Sequence, residues 1–241
     1  MRLLIVRHGD PDYEKDSLTE KGYREAELLA ERLSKMNIAA FYVSPLGRAR
    51  ETARITLEKM NRTAQVCDWL REFPYLIDRP DMGGKDICWD FLPREWTEQK
   101  EYFSRDAWYL TEKMKDGNVE AGYRYVTESL DALLASHGYE RDGEYYRAVK
   151  PNRDVIVLFC HFGLECVLLS HLMNVSPMIL WHHTCAAPTS VTGIVTEERR
   201  CGQAIFRMSE FGDISHLYVG DEPPAFAARF CETFDSDERH D

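Results

Sequence analysis

The sequence predicts an α/β fold on a parallel sheet, from three observations. Short apolar segments at residues 3–6 and 39–43 are each followed by a helical stretch with one apolar face. The run Val155–Cys160 is apolar at every position, as a strand covered on both faces should be. Strand and helix signals alternate at both ends of the chain, which is how a parallel sheet with crossover helices is encoded.

Residues 3–6 read as the first buried strand. Thr19 has the chemistry of an N-cap for a helix running to about residue 36, with Ala26, Leu29, Ala30, Leu33 and Met36 on one face. After the strand at 39–43, Ser44 is expected to cap the next helix, with Pro45 at its first position. Residues 73–118 break the pattern: Pro74, Pro80, Pro93, the Gly83-Gly84 pair, Trp89, Trp96 and Trp108 suggest an inserted cap, partly helical over 94–115. A helix over 120–137 follows, with Val126, Leu130, Leu133 and Leu134 as its stripe. Asp142-Gly143 marks a hairpin turn. The α/β pattern resumes at Asp154, with a helix over 163–173 and a strand pair, 191–196 and 204–208, around Cys201-Gly202. The charged tail from Ser236 is expected to fray.

Length and composition bound the function. At 241 residues, 44% hydrophobic and 29% charged, the chain suits one globular domain: a core over 1–72 and 139–235, and a cap insertion over about 73–138. A net charge of −11 disfavours nucleic-acid binding and means that any phosphate site must be a local basic pocket. No apolar run approaches the roughly 20 residues of a membrane span. The opening apolar run is too short for a secretion signal and seven cysteines show no disulfide spacing, so a reducing cytoplasm is the expected setting.

In open α/β sheets, ligands bind beyond the carboxyl ends of the strands. Three such ends carry unusual residues: Arg7-His8-Gly9, then Ser44-Pro45 with Arg48 one turn on, then His161. Two guanidiniums can grip a phosphoryl group by forked hydrogen bonds. A neutral imidazole is a competent nucleophile, and nearby arginines help keep it neutral. The set suits phosphoryl transfer without a metal or other cofactor, because that chemistry needs mainly positioning and charge neutralisation.

These residues also carry a resemblance. Leu4-Ile5-Val6-Arg7-His8-Gly9 resembles the Arg-His-Gly signature of the histidine phosphatase superfamily, which includes the cofactor-dependent phosphoglycerate mutases. Leu18-Thr19-Glu20-Lys21-Gly22 is similar to the Leu-Thr-x-x-Gly that follows there, and Ser44-Pro45-Leu46-Gly47-Arg48-Ala49-Arg50-Glu51-Thr52-Ala53 to its Ser-x-x-x-Arg-Ala-x-x-Thr-Ala motif. Phe159-Cys160-His161-Phe162-Gly163 stands where the family has its second histidine. The likeness covers about residues 1–72 and 154–196. It implies a three-layer α/β/α sandwich with a mostly parallel central sheet. By the same resemblance, His8 is expected to be the phosphorylated nucleophile, and Arg7, Arg48 and His161 are expected to hold the phosphate. The family's proton donor follows the third strand in Leu-x-Glu; Leu70-Arg71-Glu72 matches it, making Glu72 the candidate general acid, with Asp10, Asp12, Asp78 and Asp86 as alternatives. Three departures stand out: Asp10-Pro11 after the signature, Glu14 where mutases commonly have Asn, and the bulkier Phe162 after the second histidine.

The resemblance implies a phosphatase acting on a small phosphomonoester; a phosphomutase and a non-catalytic phospho-ligand binder are the alternatives. Trp181-His182-His183 lacks metal-ligand spacing and is expected to be structural. Cys160 cannot be the nucleophile of a cysteine phosphatase, because Cys166 stands where that chemistry needs Arg. Cys201 to Arg207 has that spacing but reads as strand. Pro188-Thr189-Ser190 precedes a late strand, where family members line the phosphate pocket with backbone amides.

Overall fold

The computed structural model describes residues 1–225, so the charged tail from Ser236 and the end of the expected core, 226–235, lie outside the described residues. The chain opens with β1 (Arg2–Arg7), a small pair β2 (Pro11–Asp12) and β3 (Ser17–Leu18), and helix α1 (Glu20–Leu33). β4 (Ala40–Val43), α2 (Gly47–Met60) and β5 (Gln65–Val66) follow. Thr19 caps α1 as expected, its hydroxyl accepting from the Gly22 amide. The second cap differs: α2 begins at Gly47, and Ser44 and Pro45 lie ahead of it. The Ser44 hydroxyl is held instead by the Leu46 amide and His161.

Residues 73–118 hold a hairpin, β6 (Leu76–Arg79) and β7 (Gly84–Ile87), and two short helices, α3 (Pro93–Thr97) and α4 (Glu112–Asp116). Their apolar side chains, among them Phe73, Ile77, Phe91, Trp96, Trp108 and Met114, join the same buried cluster as the helices that follow, so this segment shares the main core. Next come α5 (Val119–Ser136), the hairpin β8 (Tyr139–Asp142) and β9 (Tyr145–Ala148), β10 (Val155–Cys160), α6 (Phe162–Met173) and α7 (Pro177–His183). β11 (Val191–Arg200), β12 (Gln203–Asp213) and α8 (Ser215–Val219) complete the described chain.

Eight strands form one sheet in the order β5-β4-β10-β1-β11-β12-β9-β8. Only its first half, β5 to β1, is parallel; from β1 onward each neighbour is antiparallel, so the sheet is mixed rather than mostly parallel. For two of the four antiparallel pairs the reason is local, whereas β1–β11 and β9–β12 pair across long stretches of chain. Two-residue hairpins join β8 to β9 and β11 to β12, and tight turns can only connect antiparallel strands.

Strand alternation builds the three layers. Leu4 and Val6 of β1 pack with Leu29, Leu33 and Ala53 of α1 and α2, whereas Leu3 and Ile5 pack with α5, α6 and α7 on the other face. The carboxyl ends of β1, β4 and β10 lie side by side, which brings positions 7, 44 and 161 together from far apart in sequence.

Candidate active site

Backbone bonds on both sides fix the end of β1. The Arg7 amide donates to Ser190, the His8 amide to Cys160, and the Thr189 amide to the His8 carbonyl. The next residue must be small: a Cβ on Gly9 would lie 2.8 Å from the Gly22 carbonyl oxygen, and one on Gly22 2.3 Å from that of Asp10. Arg-His-Gly and Leu-Thr-x-x-Gly are thus two halves of one close backbone contact. Thr52 completes it, its hydroxyl accepting from the Gly9 amide at 2.9 Å and donating to the Arg48 carbonyl at 2.8 Å.

The structure brings His8, His161 and Arg7, all buried, and the half-buried Arg48 into one cluster. The imidazole centroids stand 5.1 Å apart, with the rings tilted by 56°. His8 Nδ1 lies 2.8 Å from the Gly9 carbonyl. A carbonyl can only accept, so Nδ1 carries the proton and Nε2 of the neutral ring keeps its lone pair. Burial, reinforced by Arg7, holds His8 well below the usual histidine range. Burial, reinforced by His8 and both arginines, does the same to His161. His161 Nε2 is 2.8 Å from Ser44 Oγ, while its buried Nδ1 has no hydrogen-bond partner among the described residues.

Arg7 donates to the Ala186 carbonyl at 2.6 Å. Arg48 is held from outside by Asp16, at 2.7 Å, and its guanidinium lies over the Tyr13 ring, 5.4 Å from the centroid. Asp16 also accepts from the Gly47 amide at 2.6 Å, and a Cβ on Gly47 would strike the Asp16 carbonyl at 2.0 Å.

Glu72 stands at the N-terminus of α6, a site that favours an acidic side chain. Its Oε1 accepts from the amides of Phe73 (2.8 Å) and Leu164 (2.9 Å), and its Oε2 from Gly163 (3.4 Å). Burial pushes its carboxyl up, against those amides and the pull of Arg7 and Arg48. Of the alternatives, Asp10 accepts from the Thr19 hydroxyl, Asp12 pairs with Lys15, Asp86 accepts from the Ile87 amide, and Asp78 is exposed. Trp89 packs beside Glu72, its indole donating to the Phe73 carbonyl at 2.9 Å, and Phe162 meets it edge-on.

His182 and His183 do not converge as ligands: His182 bonds the Met178 carbonyl and the Phe91 amide, and stacks on Trp96. Cys160 and Cys166 are buried thiols pushed far up by desolvation, and Cys201 lies in the turn between β11 and β12.

Sequence reasoning missed two supports, Asp16 and Glu165, and reached a third, Thr189, only as part of the Pro188-Thr189-Ser190 segment. Asp16 is the partner of Arg48. Thr189 sits at φ 59°, costly for a β-branched residue, and bonds buried His216 at 3.1 Å while its amide holds His8. Glu165 is 1% exposed, on α6. It had a legible signal, being the sole charged residue between Phe162 and Leu169.

Residues 3–81 match the profile of the histidine phosphatase superfamily, branch 1. A probable phosphatase of Schizosaccharomyces pombe is 26% identical over 232 residues, covering 90% of this chain and 95% of the relative. An adenosylcobalamin/alpha-ribazole phosphatase of Salmonella typhi is 23% identical over 191 residues, covering 76% and 84%. Among solved structures, a phosphoserine phosphatase of Entamoeba histolytica shares the fold with a TM-score of 0.59 at 16% identity, over 90% of this chain and 98% of that one. The signature residues, the mixed sheet that gathers them and the full-length relative all point the same way: over residues 3–81 the chain is similar to the histidine phosphatase superfamily, and its fold is shared by a phosphatase of known structure.

Proposed function

We propose that the chain is a phosphoric monoester hydrolase that acts on a small phosphorylated substrate through a phosphohistidine at His8, with no metal needed for the transfer. The observation that carries this reading is the hydrogen bond from His8 Nδ1 to Gly9, which leaves Nε2 of a neutral ring as the nucleophile. Arg7, Arg48 and the free Nδ1 edge of His161 supply the charge and donors for the equatorial oxygens.

In the first step His8 Nε2 attacks phosphorus and the ester P–O bond breaks, with the Glu72 carboxyl giving its proton to the leaving oxygen. In the second, Glu72 as carboxylate takes a proton from water, which attacks the phosphohistidine and breaks the P–N bond. The raised Glu72 carboxyl supports this double duty. We read residues 73–138 as a cap whose Trp89 bounds the substrate's organic part, and a cytoplasmic setting as the one that suits the buried thiols. Among the described residues no helix is long and apolar enough to cross a membrane.

The test is His8→Ala with an aryl phosphate, alongside acid-quench trapping of the phosphoenzyme on the unaltered protein. Loss of both turnover and trapped phosphate in the variant is expected. Undiminished turnover overturns the mechanism.

A further inference from the structure

Behind the phosphate pocket lies a second carboxyl that the two-step reaction does not use. Glu165 is in the first turn of α6 and 1% exposed. It is hydrogen-bonded to the Thr192 hydroxyl of β11, and its Oε1 is buried with no partner among the described residues. β11 pairs with β1, whose last residue is Arg7, and Glu165 lies within electrostatic reach of that guanidinium. A carboxylate in this place competes with any phosphoryl group for the charge of Arg7. Two anions cannot both be neutralised there in a medium of low dielectric, so the arrival of one should discharge the other.

We propose that Glu165 is a buried counter-charge to Arg7 that takes up one proton from solvent when a tetrahedral dianion binds the pocket. This rests on the reading of His8, Arg7, Arg48 and His161 as a phosphate site. Glu165 touches no substrate atom and acts through Arg7, so it is a positioning residue. Its role is to keep the arginine compensated in the resting protein and to make anion capture depend on pH.

The surroundings are consistent. Arg7 from β1 favours the charged form of Glu165, and Glu72, which accepts from the Gly163 and Leu164 amides of α6, opposes it. The thiols of Cys160 on β10 and Cys166 on α6 also face it and stay protonated. Desolvation outweighs the Arg7 attraction and brings Glu165 to about 7, so a modest change at Arg7 moves its proton. His8 and His161 are depressed well below this range and do not titrate with it.

The experiment measures sulfate affinity against pH by calorimetry on the unaltered protein, Glu165→Gln and Glu72→Gln. Sulfate is the probe because it remains a dianion throughout. In the unaltered protein, affinity should fall by up to about tenfold per pH unit above about 7 as the competing carboxylate forms. Glu165→Gln should bind sulfate with little pH dependence, and about tenfold more tightly than the unaltered protein at about pH 8. Glu72→Gln should keep the dependence. If Glu165→Gln retains the full dependence, the proposal falls while the phosphate pocket stands. If sulfate fails to bind the unaltered protein at all, the pocket reading falls and takes the proposal with it. Should Glu165→Gln not fold, difference infrared spectroscopy on isotope-labelled Glu72→Gln protein replaces it. A new protonated-carboxyl band on adding sulfate supports the proposal, and its absence overturns it.

Discussion

Adding a single methyl group at Gly163 separates the proposed acid from the phosphate pocket. A Cβ there would lie 2.7 Å from Glu72 Oε1 and 2.8 Å from the Trp89 indole. Neither neighbour can swing aside freely. The same Oε1 accepts from Phe73 at 2.8 Å and Leu164 at 2.9 Å, and the indole is tied to the Phe73 carbonyl at 2.9 Å. Two effects on stability oppose each other. Ala in place of Gly within a helix gains about 1 kcal/mol, whereas a methyl forced into filled space costs about 1–3 kcal/mol. Gly163→Ala should therefore fold, destabilised by no more than about 2 kcal/mol.

Activity should change far more. Shifting a reacting group by about 1 Å costs on the order of a hundredfold in rate, about 2.7 kcal/mol of barrier. KM should change little, because Arg7 and Arg48 are untouched. The loss should also follow the leaving group: an alkyl phosphate needs the proton, and an activated aryl phosphate barely does. The assay is kcat on one substrate of each kind, with Tm measured on the same preparations. We expect about a hundredfold fall for the alkyl ester and less than about fivefold for the aryl ester. Equal falls on both substrates, or alkyl turnover within about threefold of the unaltered protein, would refute this account of Glu72.

Two further outcomes follow from the same geometry. Ser44→Ala removes the only described partner of His161 Nε2 and the acceptor of the Leu46 amide, both near a fully buried side chain; we expect about 1–3 kcal/mol of lost stability by urea unfolding, and an unchanged midpoint would contradict it. The pH–rate profile should be set by neutral His8 and protonated Glu72. Because His8 is held well below its usual range, the acid limb should lie below about pH 6.5, and because Glu72 is raised, kcat should fall as pH rises through a point above the ordinary carboxylate range. Glu72→Gln should flatten that alkaline limb; a limb that persists assigns the acid to another group.

The sequence on its own singled out Arg7, His8 and His161, because each sits at the end of a short strand and carries a polarity that a buried strand would otherwise exclude, and Arg48, one turn beyond a third strand end; the structure gathers these four side chains, and their catalytic roles are the proposal made above. The sequence also determined the first cap and both hairpins, where Thr19, Gly143 and Gly202 act through local backbone chemistry. Tertiary structure decided what those local signals could not carry. Ser44 has the chemistry of a helix cap, yet it serves His161, because parallel pairing of β4 and β10 brings positions 117 residues apart within 2.8 Å. The hairpins fix only the β8–β9 and β11–β12 pairs; that β11 runs against β1, and β12 against β9, was decided by pairing between strands far apart in the chain. Glu72 and Glu165 acquire their raised carboxyls only once α6 and β1 are packed beside them, since the desolvation that raises them against the opposing field of Arg7 is a property of the folded interior and not of any stretch of sequence.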